Sequence, residues 1–240
     1  MTFLRTMRRL LMLALIASTG VALILVYLLP NLAPEDLPWT PLDLDAPVGR
    51  ATAGKIAQLE GAACRTLLNE AGIAHRALPV RQQNMCGFDD GIALEKRRGA
   101  ALYAPDEPPL ACPVAAALVL WERRVVQPAA EQHFRTRVTR IDHFGTYACR
   151  RMYGRNTGNW SEHSRARAID IAGFVLSDGR RITVAADWNR DGPSGQFLHD
   201  VRDGACRIFA TTLSPDYNAA HRDHFHLDEA RRGGLWTACH

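Results

Sequence analysis

The sequence predicts an α+β domain, helices packed on a small antiparallel sheet, preceded by one N-terminal transmembrane helix. Three observations predict it. A charge-free apolar run lies near the N-terminus, apolar residues recur at helical spacing in three later segments, and two segments alternate apolar and polar or small residues as half-buried strands do.

The N-terminal segment comes first. Residues 1–9 carry Arg5, Arg8 and Arg9 and no acid, and Leu10 to Leu29 is 20 residues long without a charge. That length spans a bilayer core of about 30 Å. A cleavable signal peptide has an apolar core of about 7–15 residues and a small-residue exit. Val26-Tyr-Leu-Leu-Pro30 offers no such exit, so an uncleaved anchor is expected, with a cleaved signal sequence as the alternative. The positive-inside rule then leaves the Arg-rich end in the cytoplasm and the remainder on the periplasmic or extracellular side of the inner membrane, crossed once. Residues 30–48 hold five prolines in nineteen positions and read as an extended linker before a single domain over 49–240.

Within that domain, Lys55 to Glu70 places Ile56, Leu59, Ala63 and Leu67 on one helical face and stops near Gly72. Pro113 opens a second helix whose stripe is Val114, Ala117, Leu118, Trp121 and Val125. Arg137 to Arg150 reads as a strand or strand pair. Ala168–Leu176, the turn Ser177-Asp-Gly-Arg180 and Arg181–Ala185 read as a β-hairpin. The polar loop 185–193 follows. Its Asp187, Asn189 and Asp191 are spaced roughly like a calcium loop, but Gly192 is misplaced and the closing glutamate is missing, so calcium is not expected. Trp188 reads as core packing or as a stacking surface at a substrate rim. A third helix is expected from Ser194 as N-cap through Phe197, Leu198, Val201 and Ile208, and a last strand over His224–Asp228.

Charge and cysteine usage narrow the setting. The chain has 29 basic and 25 acidic residues, and without the three N-terminal arginines the balance is 26 against 25, which leaves no electrostatic footprint for nucleic acid. The pairs Arg123-Arg124, Arg180-Arg181 and Arg231-Arg232 read as solvated faces. Six cysteines, Cys64, Cys86, Cys112, Cys149, Cys206 and Cys239, lie beyond the apolar run, and none form a Cys-x-x-Cys pair, so thiolate-bound structural zinc is not expected. An even number in an oxidising compartment suggests up to three disulfides, and sequence does not choose among the pairings.

The chemistry gathers in three short pieces: Ser161-Glu162-His163, Ala168-Ile169-Asp170 and Asp223-His224-Phe225-His226. Strand alternation puts Asp170 on a face with Ala168 and Ala172, opposite Ile169 and Ile171. On the last strand it puts His224, His226 and Asp228 opposite Phe225 and Leu227. His163, Asp170 and His226 then form a His, Asp, His set with a fourth position for water, the open arrangement of catalytic zinc. Such a site needs a base. His224, expected on the same strand face as His226, is preferred over Asp223, which a regular strand would turn away.

These residues carry a resemblance. His163-Ser-Arg-Ala166-Arg-Ala168-Ile-Asp170 looks like the His-x-x-Gly-x-Ala-x-Asp motif of the zinc peptidase superfamily that joins lysostaphin-type peptidases, D-Ala-D-Ala metallopeptidases and hedgehog domains. His221-Arg-Asp-His224-Phe-His226 resembles the closing motif of its penicillin-insensitive murein endopeptidases. Tyr147-Ala-Cys-Arg150, Ser161-Glu-His163, Asp170-Ile-Ala-Gly-Phe174, Leu213-Ser-Pro-Asp-Tyr-Asn218 and His224-Phe-His-Leu-Asp228 resemble the bacterial extensin-like C-terminal domain family, over roughly residues 55–240. The resemblance implies zinc on His163, Asp170 and His226 and His224 as general base. It implies His221 and Arg150 as groups that steady an oxyanion or bind a substrate carboxylate. It also implies a substrate among peptidoglycan peptides. One departure is Ala166 where the motif has Gly, which allows positive φ, so the loop from His163 to Ala168 is expected to differ. The alternative function is a non-catalytic, zinc-stabilised cell-wall binding or structural envelope domain.

Overall fold

The computed structural model of the chain describes residues 2–28, 32–231 and 237–240. Leu29 at the end of the expected anchor, Pro30 and Asn31 at the start of the linker, and Arg232 lie outside the described residues. Helix α1 (Thr2–Leu28) contains Arg5–Ile24, a stretch long and apolar enough to cross a membrane, with its apolar side chains exposed rather than packed on the domain.

From Pro34 onward the proline-rich segment is not a free tether. A 3₁₀ turn at Pro34–Asp36 accepts the Lys55 ammonium at the Pro34 carbonyl (3.0 Å), and Asp45 accepts from Arg123 (2.8 Å). Leu44 is buried in the core, with Leu42 and Val48 against it. Sequence composition registers the prolines but not these three apolar residues, which find a surface on the helices of the domain.

The expected first helix is two: α2 (Thr52–Ala57) and α3 (Gly61–Glu70), broken at Gln58 to Glu60, with Gly72 in the left-handed conformation beyond α3. Five short strands follow: β1 (His75–Ala77), β2 (Arg81–Gln83), β3 (Cys86–Phe88), β4 (Gly91–Leu94) and β5 (Leu102–Ala104). β6 (Leu110–Ala111) leads into α4 (Cys112–Trp121), every residue of which is buried. A π-helical turn, Glu122–Val126, joins α4 to α5 (Gln127–Phe134). Pro128 explains the widening, because its missing N–H cannot close an α-type bond in mid-helix, and the π turn lets the chain continue.

The second half supplies β7 (Val138–Gly145), β8 (Ala168–Leu176), β9 (Arg181–Thr183), α6 (Val184–Asp187), α7 (Pro193–Ala205), β10 (Thr211–Leu213), β11 (Phe225–Asp228) and β12 (Ala238–Cys239). The hairpin strand stops two residues earlier than Ala185, because Thr183 caps α6. Its hydroxyl accepts from the Ala186 N–H, while the Asp187 carboxylate takes the Thr183 N–H (2.9 Å). Helix α7 begins at Pro193 and ends before Ile208, which is buried beyond it.

The main sheet runs β12-β10-β11-β8-β7-β5, with β9 paired to β8. Its central pairs are antiparallel, and the edge pairs β5·β7 and β10·β12 are parallel. A separate three-stranded sheet is β1-β4-β6, and β2-β3 is a hairpin on its own. One face of the main sheet packs on the helices: Trp121 meets Phe174 and Phe209, Phe174 meets Phe197, and the Trp121 indole donates to Val201 O (2.9 Å). The fold is therefore α+β, with small, mainly antiparallel sheets and packed helices. Disulfides Cys64–Cys112, Cys86–Cys149 and Cys206–Cys239 account for all six cysteines.

Trp188 belongs to the core. It is 3% exposed, stacks on Phe225 and His199 and donates to Asp216 (2.9 Å), so it is no stacking surface at a rim.

Candidate metal centre

The site stands on the sheet face opposite the helices. Strand β8 sends Ile169 and Ile171 into the core and leaves Asp170 on the other face. Strand β11 does the same with Phe225 and Leu227 against His226 and Asp228. Asp170 is the register partner of His226, so pairing alone brings a carboxylate and an imidazole together. Between Asp142/His143 and Ile171/Gly173 the register places one additional residue, Ala172, on β8, a bulge that breaks the expected alternation after Ile171 and returns Phe174 to the core. A second shift leaves Phe144 extra on β7, where its exposed ring sets its edge against His224 (centroids 5.7 Å).

His163 arrives from outside the sheet. Ser161 caps the 3₁₀ turn Glu162–Arg165, and the turn is closed by Ala166 at φ 52°, ψ 24°. The left-handed conformation that glycine favours is thus adopted here by alanine. Ala111 N–H donates to Ala166 O (2.8 Å) and fixes the turn to β6.

The three expected ligands converge. His163 Nε2 lies 3.1 Å from Asp170 Oδ1 and 3.2 Å from His226 Nδ1, and His226 Nδ1 lies 2.9 Å from Asp170 Oδ1. Donors about 2.0–2.2 Å from a tetrahedral zinc ion stand roughly 3.3–3.6 Å apart. The observed triangle is only a few tenths of an ångström tighter. Each imidazole is held from behind: His163 Nδ1 donates to Thr146 O (3.2 Å) and His226 Nε2 to Asp228 Oδ2 (3.0 Å). These bonds select tautomers whose lone pairs, on His163 Nε2 and His226 Nδ1, face the triangle. Three acceptors in mutual contact demand a positive charge among them. Without a metal, a proton supplies it. Although burial works to lower the His226 value, bonds to Asp170 and Asp228 raise it to about 9, and although burial works to raise Asp170, His163 and His226 hold it far below the ordinary carboxylate range. The donor set fits a divalent cation.

Around this triangle stand the other expected residues. His224 is not on the strand. It lies at the bend just before β11, yet its Nε2 comes within 3.6 Å of Asp170 Oδ1. The same turn brings Asp223 beside it, Oδ1 accepting from His224 Nδ1 at 2.9 Å. The two rivals for general base thus form a pair. His221, at the end of the 3₁₀ turn Ala219–His221, stacks near His224 and His226. Burial first, then the two neighbouring histidines, lower its value to about 4, so it is neutral at pH 7. Its Nδ1–H donates to Asn218 Oδ1 (2.9 Å), an oxygen pinned by the Ala220 N–H (2.9 Å). His221 therefore presents an acceptor at Nε2 and cannot donate to an oxyanion or a carboxylate in this state. Arg150 is exposed at the end of the loop after β7, and its charge contributes to lowering His221.

The sequence matches the family described as extensin-like protein C-terminus over residues 62–240. The chain belongs to the extensin-like C-terminal family. No curated protein and no solved structure matches it. In this extensin-like domain three site residues had no role in the sequence reading. Asp228 was legible by period, two residues beyond His226 on one strand face. Asn218 had been quoted only as part of a motif, and Thr146 acts through its carbonyl, which no side-chain pattern reveals.

Proposed function

We propose that this chain is a membrane-anchored, zinc-dependent amide hydrolase acting on peptidoglycan stem peptides, as an endopeptidase or carboxypeptidase. The observation that carries it is the convergence of His163 Nε2, Asp170 Oδ1 and His226 Nδ1 within 3.2 Å of one another, both imidazoles oriented from behind. Bound there, zinc would acidify a water and polarise the scissile carbonyl. The chain's own groups do the rest. His224 Nε2 faces the centre with Asp223 on its Nδ1, an arrangement suited to taking a proton from the attacking water and returning it to the leaving amine. His221, neutral and an acceptor, fits a hydrogen-bonding contact to a substrate N–H. With it turned the wrong way for an oxyanion, Arg150 is the remaining cation of the expected set for a substrate carboxylate.

The setting supports the substrate. An N-terminal helix long and apolar enough to span a membrane, together with three disulfides, suits a domain on the outer side of the cytoplasmic membrane, where peptidoglycan is the abundant amide-bearing polymer. The Asp223–His224 pair favours hydrolysis over metal-stabilised binding, which needs no base. The test incubates the purified full chain, with its metal content measured, with intact sacculi. Soluble peptide products that vanish with a chelator and return with zinc are expected. A metal-loaded protein that binds sacculi but releases nothing would overturn the catalytic reading and leave the binding one.

A further inference from the structure

The hairpin β2–β3 belongs to neither larger sheet. Two strands alone are marginal in water, so side-chain contacts must hold such a hairpin in place. Its contacts are concentrated on one loop. The Arg81 guanidinium lies 4.3 Å over the Tyr147 ring, Phe88 meets that ring edge-on at 5.8 Å, and Cys86 is bonded to Cys149. Strand β3 also lies against the turn Glu162–Arg165 that carries His163.

The loop it grips has no regular secondary structure from Thr146 to Arg150, and two of its backbone groups hold His163. Thr146 O accepts from the His163 ring (3.2 Å), and Ala148 N–H donates to His163 O (3.1 Å). One bond sets the tautomer and ring direction, the other the main chain. Both depend on the segment Thr146 to Arg150, whose other backbone pairing toward the turn comes at its far end, where Ser161 N–H donates to Arg150 O (3.1 Å) beside the Arg151–Trp160 bridge.

We propose that the β2–β3 hairpin is a clamp that positions the metal ligand His163 through Tyr147 and Cys149, so that residues outside the centre set its metal affinity. This rests on the zinc reading above. Tyr147 and Cys149 are positioning residues: they lie outside the ligand set and act by holding the Thr146 and Ala148 backbone. Groups that orient metal-ligating histidines from behind typically govern about 10–100-fold in affinity, and loosening this loop loosens such a group. The Tyr147 hydroxyl is buried without a hydrogen-bond partner among the described residues, which assigns the holding to the ring.

The test is a zinc titration of the full chain in detergent, in competition with a chromophoric chelator. Tyr147→Leu removes both ring contacts and keeps the disulfide, and the double variant Cys86→Ala/Cys149→Ala does the converse. Each is expected to bind zinc about 10–100-fold more weakly. Tyr147→Phe, with the ring intact, is expected to match the unsubstituted chain, as is Cys64→Ala/Cys112→Ala, which opens a bond between α3 and α4. Unchanged affinity in Tyr147→Leu overturns the clamp, whatever the cysteine variants do. Equal weakening on opening Cys64–Cys112 also overturns it, since general loosening would then suffice. An unsubstituted chain that takes up no zinc refutes the metal reading itself, and the clamp with it, a result distinct from either.

Discussion

The bond from His226 to Asp228 offers the sharpest test of the metal reading. The Asp228 carboxylate accepts from the His226 Nε2–H at Oδ2 (3.0 Å) and from the Ala230 N–H at Oδ1 (2.9 Å), and the Thr211 side chain also hydrogen-bonds to it. Asparagine has the same shape but only one acceptor. If its oxygen serves Ala230, its amide N–H faces His226 Nε2 and forces the other tautomer, with the proton on Nδ1. That proton would be welcome at Asp170 Oδ1, 2.9 Å away, but the lone pair meant for the metal is then gone. If the oxygen serves His226 instead, two N–H groups oppose each other at Ala230, and an unsatisfied buried donor costs about 1–3 kcal/mol. Zinc binding must pull the amide from the first arrangement into the second, which is a penalty of roughly 5- to 150-fold in affinity, in line with the tenfold to hundredfold loss usual when such a supporting carboxylate is altered. Zinc competition titration of Asp228→Asn measures it, and the nitrogen shifts of His226 report the tautomer in the metal-free protein above pH 9, where the ring has given up its second proton. An Asp228→Asn protein that binds zinc as tightly as the unsubstituted chain refutes the argument that Asp228 orients a ligand.

Three further outcomes are expected. His224→Ala should lose about 10²–10⁴ in turnover while keeping zinc, Asp223→Asn should lose less, and His226→Ala should lose zinc as well; full activity in His224→Ala would remove it as the base. Glu229, fully buried, is held well above the ordinary carboxyl value by burial and then by Asp228, so the folded state retains a proton that the unfolded state releases above pH 4.5. Its contribution to stability is therefore present below pH 4.5 and declines as pH rises toward the folded value, and Glu229→Gln should flatten that decline in thermal melts of the metal-free protein; parallel melting curves from pH 4.5 to 8 would contradict this. At Ala166 the left-handed backbone costs a non-glycine residue about 1–2 kcal/mol and glycine's extra freedom returns about 0.5–1, so Ala166→Gly should move stability by less than about 1.5 kcal/mol and leave zinc binding intact, whereas Ala166→Val should be strongly destabilising at this buried site. Loss of zinc in the glycine variant would show that this loop holds His163 differently.

The fold was legible where side-chain period speaks directly. The helix through Val114 and Trp121 and the alternation of Ile169 and Ile171 against Asp170 both appear, although α4 is buried on every side and not along one stripe alone. Boundaries were less legible because they depend on capping and single residues. Thr183 ends a strand by capping α6, and Pro128 is absorbed by a π turn instead of ending a helix. From Pro34 the prolines suggest extension, while Leu44, flanked by Leu42 and Val48, seats the segment on the domain.

At the site, the same distinction decides what the sequence could deliver. The convergence of His163, Asp170 and His226 was legible because side chains able to hold a metal are of a few types, and Asp170 opposite His226 is a register that two alternating strands impose. The choice between His224 and Asp223 was framed by strand geometry, which sends adjacent residues to opposite faces and so makes them exclusive. The chain turns just before Phe225, the strand rule lapses for those two positions, and both point to one place: Asp223 accepts from Nδ1 of His224, whose Nε2 faces Asp170. An apparent choice between two residues thus becomes a hydrogen-bonded pair facing the centre. The same logic applies to Tyr147 and Cys149, which have no metal-ligand chemistry of their own; their motif had significance only once the loop they hold was seen to carry the carbonyl that orients His163.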